Sequence, residues 1–120
     1  MNASTNVVSI HPYFKVHEGK MDEAKAALRV FVEKTATEEK CLNYDFTING
    51  DVVFCREAYV GGDGALAHLE NVGEQLKAFL TISDLLRLEI HGSAWELDKL
   101  RGPLADLNPE WFVHECGVEG

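Results

Sequence analysis

"CLNYDFTINGDVVFCREAYVGGDGALAHLEN", residues 41–71, reads as two strands, a tight turn and the opening of a helix. In the first strand Leu42, Tyr44, Phe46 and Ile48 alternate with Asn43, Asp45 and Thr47, the period of two expected of a strand with one buried face. Asn49-Gly50 follows, a pair that tolerates the positive φ of a type I′ hairpin turn. VVFCREAYV then returns as the antiparallel partner. Two glycines end the run, and Asp63 stands where a helix N-cap is wanted. Ala65, Leu66, Leu69, Val72 and Leu76 recur at helical spacing, and Gly73 within them predicts a weakening or kink.

Outward from this stretch the same two periods continue. In VVSIHPYFKV, residues 7–16, Val8, Ile10, Phe14 and Val16 oppose Ser9, His11, Tyr13 and Lys15, so this is another strand, with Pro12 favouring a bulge or an unpaired side. A helix from about Lys20 to Thr37 carries Met21, Ala24, Leu28, Phe31, Val32 and Thr35 on one stripe. LLRLEIHG, residues 85–92, is a fourth strand. SAWELDKLR is a short helix with Ser93 as its cap, ended by Gly102-Pro103, and PEWFVHE is a last strand. Two split β-α-β units in this order give an α+β fold: a ferredoxin-like antiparallel sheet with helices on one face. The second face carries Tyr13, Cys55, Tyr59 and Leu85 among polar residues, which predicts a homodimer. We expect a single domain over 1–120, its core at about 7–92, with the C-terminal helix and short strand at 93–115.

Composition narrows the function. The chain has 120 residues, 46% of them apolar, enough to build a core. Its net charge is -9, with 11 scattered Lys and Arg. That excludes nucleic acid and anionic membrane surfaces as partners. Cys41, Cys55 and Cys116 show no metal-binding spacing and read as free thiols. MNASTNVV carries no signal-peptide pattern and no apolar run is long enough to span a bilayer, so the expected setting is the cytoplasm. No nucleotide-binding or metallohydrolase motif is present.

The polar groups of REAYVGGDGALAH are the candidate site. His68 lies at the edge of its helix's apolar stripe, placed to look into a space between helix and sheet. An imidazole there can take a proton from a phenol near neutral pH, or be a structural residue satisfied by a carbonyl or carboxylate. Glu57 and Tyr59 share one strand face. Glu57 either orients His68 or a substrate hydroxyl, or pairs with Arg87 or Lys15 across strands. Tyr59 is a wall or a hydrogen-bond donor. His11 and His91 lie on neighbouring strands and with Glu57 would make a two-His, one-carboxylate metal set; we expect no metal. Trp95 and Trp111 are expected to pack on the sheet or a partner.

Taken together, the glycine-led helix after the first strand, "CLNYDF", "REAY" and "ALAHLEN" resemble the antibiotic biosynthesis monooxygenase domain of the dimeric α/β-barrel superfamily. The resemblance covers about Val7 to Gly92. It implies two protomers packed sheet to sheet as a closed barrel, with pockets between each sheet and its helices. The activities it implies include oxygenases that use neither metal nor flavin, quinol-oxidising enzymes and haem-degrading enzymes. Val72 and Gly73 stand where many members carry a second helix histidine, which weakens a haem role. The expectation is a cofactor-independent monooxygenase or quinol-oxidising enzyme acting on a small aromatic or phenolic substrate. His68, Tyr59 and Glu57 would be catalytic, with Asn43, Tyr44, His11 and His91 around the substrate. The alternative is a non-catalytic dimeric module that binds a small ligand.

Overall fold

A computed structural model describes residues 6–118; the reading of MNASTNVV falls largely outside them. In chain order the elements are β1 (Val7–Val16), α1 (Met21–Thr35), β2 (Cys41–Asn49), β3 (Val52–Val60), α2 (Gly61–Phe79), β4 (Ser83–Gly92), α3 (Ala94–Arg101), a 3-10 turn at Ala105–Leu107 and β5 (Glu110–Val113). The sheet order is β2-β3-β1-β4-β5. The first four strands are antiparallel, as the ferredoxin-like reading requires, and β5 adds to β4 in parallel, making the sheet mixed. Among the described residues no helix is long and apolar enough to cross a membrane.

Two apolar clusters fill the space between sheet and helices. One gathers Val8, Ile10, Tyr59, Ala65, Leu88, Ile90, Leu97 and Leu100; the other gathers Phe14, Val16, Ala24, Leu28, Phe31, Val53, Val72 and Phe79. Burial of this kind, at about 25 cal/mol per Å² of apolar surface, is the main force holding the layers together. The stripe of α1 is confirmed at Ala24, Leu28, Phe31 and Thr35, whereas Val32 is exposed.

Several local expectations are corrected. The hairpin loop is Gly50-Asp51, with positive φ at Gly50 alone. That is the pattern of a type II′ turn, not type I′. A register shift between Cys41 and Asn43 turns Leu42 outward and leaves Cys41 on the helix side with Tyr44 and Phe46. A second shift, between Tyr13 and Phe14, leaves Leu86 unpaired and exposed between β1 and β4. Gly73 neither ends nor interrupts α2. Cys55, Tyr59 and Leu85 face the helices, so of the four residues assigned to the second face only Tyr13 is there. The open face is nonetheless aromatic: Tyr13, Phe54, His11, His91 and Phe112 form a continuous row of rings with centroids 4.5 to 5.9 Å apart. Trp95 is exposed, while Trp111 packs at the core edge under the Arg101 guanidinium.

Candidate active site

The junction of β3 and α2 explains how the site is held. Gly61 has φ +71, which favours glycine, and lets the chain turn directly from strand to helix. A Cβ on Gly62 would lie 2.7 Å from the Glu96 carbonyl oxygen, so only glycine lets α2 approach α3 this closely. The α2 start is capped from across the fold, by Glu96 Oε1 accepting the Gly62 N–H at 2.8 Å. Asp63 sits in the first turn and is not the cap. Seating this first turn on β3 and α3 fixes the azimuth of α2, and two turns later it delivers the His68 ring over β3.

His68 is 2% exposed and lies between two phenol rings, Tyr59 at 4.9 Å and Tyr44 at 5.0 Å between centroids. Its Nδ1 is 2.9 Å and 3.2 Å from the two carboxylate oxygens of Glu38. Its Nε2 is 3.4 Å from Glu57 Oε1. A carboxylate only accepts, so Nδ1 carries the hydrogen and donates it to Glu38. In the neutral ring Nε2 then offers a lone pair toward Glu57. Two acceptors do not face one another without a proton between them, so Glu57 and His68 share one. Glu57 also accepts from the Tyr59 hydroxyl at 2.5 Å. Asn71 Nδ2 donates to Glu38 Oε2 at 2.8 Å and to the Lys34 carbonyl at 2.9 Å, anchoring the outer carboxylate.

Burial dominates the electrostatics. Desolvation pushes Glu57 up to about 7, against the smaller opposing effects of its bonds to Tyr59 and Cys55. Desolvation also lowers His68, while Glu38 pulls it back up. The Tyr44, Cys55 and Tyr59 protons are all held more tightly than usual, through burial first and then the nearby Glu57 charge. No cation lies in this cluster, so Glu57 is not the cross-strand ion pair with Arg87 or Lys15: Arg87 pairs with Glu89 and Glu110 on the other face.

Glu57 and His68 open onto a partly open cavity between the sheet, α1, α2 and the C-terminal segment. The cavity volume is about 60 Å³, several times what one water needs. Apart from Tyr44, Cys55, Glu57 and His68, its lining is apolar, from Phe14, Phe31 and Phe79 to Leu85, Leu104 and Leu107. An imidazole beside a carboxyl raised to about 7, set in an apolar cavity, is equipped to move a proton to or from a bound molecule.

The structure brings together His68, Glu57, Tyr59 and Tyr44. It does not bring Asn43, His11 or His91 to this cavity. Asn43 bonds the Arg56 carbonyl at the sheet surface. His11 and His91 lie on the open face, beside Ser9 and Glu89. The two-His, one-carboxylate set is therefore split across the sheet and cannot assemble. Sequence reasoning missed Glu38, which looks like any carboxylate in the polar loop TATEEK. It also missed Leu104 and Leu107, because a wall formed across the fold leaves no periodic signal.

No family model matches the chain, and no curated protein matches it. Among solved structures its fold is that of proteins named as candidate antibiotic biosynthesis monooxygenases. That from Nitrosomonas europaea has TM-score 0.67 and 18% identity, with 76% of this chain and 93% of that one covered. That from Caulobacter crescentus has TM-score 0.63 and 19% identity, with 73% and 88% covered. A much nearer likeness is MupZ from Pseudomonas fluorescens, with TM-score 0.91 and 39% identity over 96% of this chain and 95% of that one. The chain has the antibiotic biosynthesis monooxygenase fold, and it belongs to the family of MupZ.

Proposed function

We propose that this protein is a proton-transfer enzyme, working as a homodimer on a small, largely apolar substrate that carries an ionisable oxygen. The observation that supports this is the Glu57–His68 pair, sharing one proton and opening onto an apolar cavity. Glu57 and His68 exchange the proton with the substrate, the Tyr59 hydroxyl steadies Glu57, and Tyr44 forms a wall that can also donate. A pure binding module gains nothing from burying ionisable groups that cost stability, so the site favours catalysis over that alternative.

The leading reaction is oxidation of a phenolic substrate by molecular oxygen without a cofactor, a reading supported by the names of the structural neighbours. The pair takes the phenolic proton, and the electron-rich phenolate passes electrons to O2. A hydroquinone gives up two electrons and two protons in this way, leaving quinone and H2O2. A second reading rests on Glu57 being held as a carboxylic acid near neutrality. An acid at one oxygen and an imidazole at a nucleophile support redox-neutral addition or isomerisation equally well.

A screen of hydroquinones, naphthols and anthrones in an oxygen electrode separates the two readings. Oxygen uptake that falls on His68→Ala supports the first. Turnover without oxygen uptake, seen by mass spectrometry and lost in the same variant, supports the second. Turnover unchanged in a folded His68→Ala protein rejects both.

A further inference from the structure

Glu57 is buried against Tyr59 and His68, and the surface it keeps faces the apolar cavity, whose lining offers no polar chain to carry protons. A group that exchanges protons with a substrate must be reset after each turnover, so a path to solvent is required. The only polar chain leading outward from Glu57 among the described residues runs through His68 Nε2 and Nδ1 to Glu38. Glu38 lies at the rim: its side chain is 9% exposed and it borders a surface depression lined by Thr35, Ala36, Leu42 and Asn43. Tyr44 lines both that depression and the inner cavity, so it is the partition between them.

We propose that Glu38 is the proton port of the site: it fixes the His68 tautomer and relays protons between bulk water and the buried Glu57. This rests on the proton-transfer reading above. Glu38 touches no reacting atom, so its role is one of positioning and relay. From the resting ring, Nδ1 releases its proton to Glu38 as Nε2 takes one from Glu57, which leaves the ring protonated on Nε2; a proton returning through Glu38 to Nδ1 then drives the Nε2 proton back to Glu57 and restores the resting tautomer. The ring carries one proton before and after, and no redox partner is needed. Asn71 holds Glu38 in place from the same helix as His68. The other titratable groups facing the relay are Cys41 and Tyr44 from β2 and Cys55 and Tyr59 from β3, with Asp45 more distant. Burial holds the protons of both thiols and both phenols, and Cys41 is pushed up to about 11, so none of them competes as a relay near neutral pH.

The test needs no substrate. Nitrogen-15 NMR of histidine-labelled protein at about pH 6, where Glu57 keeps its proton, should show His68 protonated on Nδ1 with Nε2 bare. Glu38→Gln should slow exchange of the His68 ring proton with water at least tenfold, and Glu38→Asp, which keeps the carboxylate, should restore much of it. A predominantly Nε2-protonated ring in the wild type overturns the proposal without any variant. So does an exchange rate in folded Glu38→Gln that is unchanged or faster. Once a substrate is known, turnover of Glu38→Gln should become dependent on added imidazole or acetate buffer. An intact NMR signature with no turnover in any variant would retain the relay and reject the enzyme reading, so the two fail separately.

Discussion

Replacing Glu57 by Gln keeps the size of the side chain and an acceptor for the Tyr59 hydroxyl, but removes the ionisation. In the folded protein the carboxyl is raised from 4.5 to about 7, with burial as the first cause. Between those pH values the folded chain holds a proton that the unfolded chain has lost, so raising the pH favours unfolding. The contribution of Glu57 is fully present below about pH 4.5 and is lost as pH climbs through 7. Two and a half pH units at about 1.36 kcal/mol each give about 3 kcal/mol. The lowered His68 acts oppositely, costing stability as pH falls below its ordinary value, but it is present in both proteins and largely cancels in their difference. The expected result is that Glu57→Gln gains about 3 kcal/mol relative to wild type between pH 4.5 and 8, most of it by pH 7. Urea unfolding followed by circular dichroism at four pH values measures this. A difference that stays flat within about 0.5 kcal/mol would show that Glu57 is ionised throughout, and would remove the neutral acid from the site.

His68→Ala should cost about 2 kcal/mol or more, since it empties a buried position and leaves the two carboxyls without their bridge. It should also lower turnover about 10²-fold, as loss of a positioned proton acceptor does; urea titration and the oxygen electrode check the two effects. The ring row on the open face should pair two protomers. Sedimentation velocity at micromolar concentration should then give twice the chain mass, and Phe54→Asp should shift it to monomer; a wild type that stays monomeric at high concentration refutes this. Gly62→Ala, which meets backbone at 2.7 Å, should cost about 1–3 kcal/mol. Gly73→Ala, which meets open space in mid-helix, should gain up to about 1 kcal/mol, and thermal melts of the two variants should move in opposite directions.

What was legible in the sequence was whatever repeats along the chain. Alternation in VVSIHPYFKV separated the two faces of its strand, because side chains on a pleat alternate regardless of context. It failed at Leu42, where one extra residue in β2 reversed the face, and no local composition marks that bulge. The face of Tyr59 and Cys55 was misread although their strand was right, since alternation separates the two faces of a strand but does not say which of them meets the helices. Asp63 as a cap was a sound local choice, overridden because Glu96, distant in sequence, reaches Gly62 first. His68 was found because it breaks an apolar stripe at its edge. Glu38 and Asn71 were not, because a hydrogen bond between a loop and a helix some thirty residues away has no period to detect.

The electrostatics bear on whether the cluster is structural. A buried carboxylate kept for stability is normally matched by a cation or by several N–H donors, which lower its pKa. Glu96 shows that arrangement here: it accepts the Gly62 N–H and pairs with Lys99, and its carboxyl is held below the usual range. Glu57 shows the opposite. It has a phenol, a thiol and an imidazole around it, and its carboxyl is raised to about 7. One chain thus holds two buried glutamates: one satisfied at the cost of being able to change state, the other able to change state at the cost of stability. The second faces the cavity. Leu104 and Leu107, from the segment after α3, complete the wall that keeps this cavity apolar. Opening that wall by Leu104→Ser should admit water, reduce the desolvation of Glu57 and bring its titration down toward 4.5, an effect that carbon-13 NMR of the labelled carboxyl would follow directly. If the carboxyl keeps its raised value with the wall opened, burial is not what raises it, and the argument linking the C-terminal segment to the acidity of the site fails.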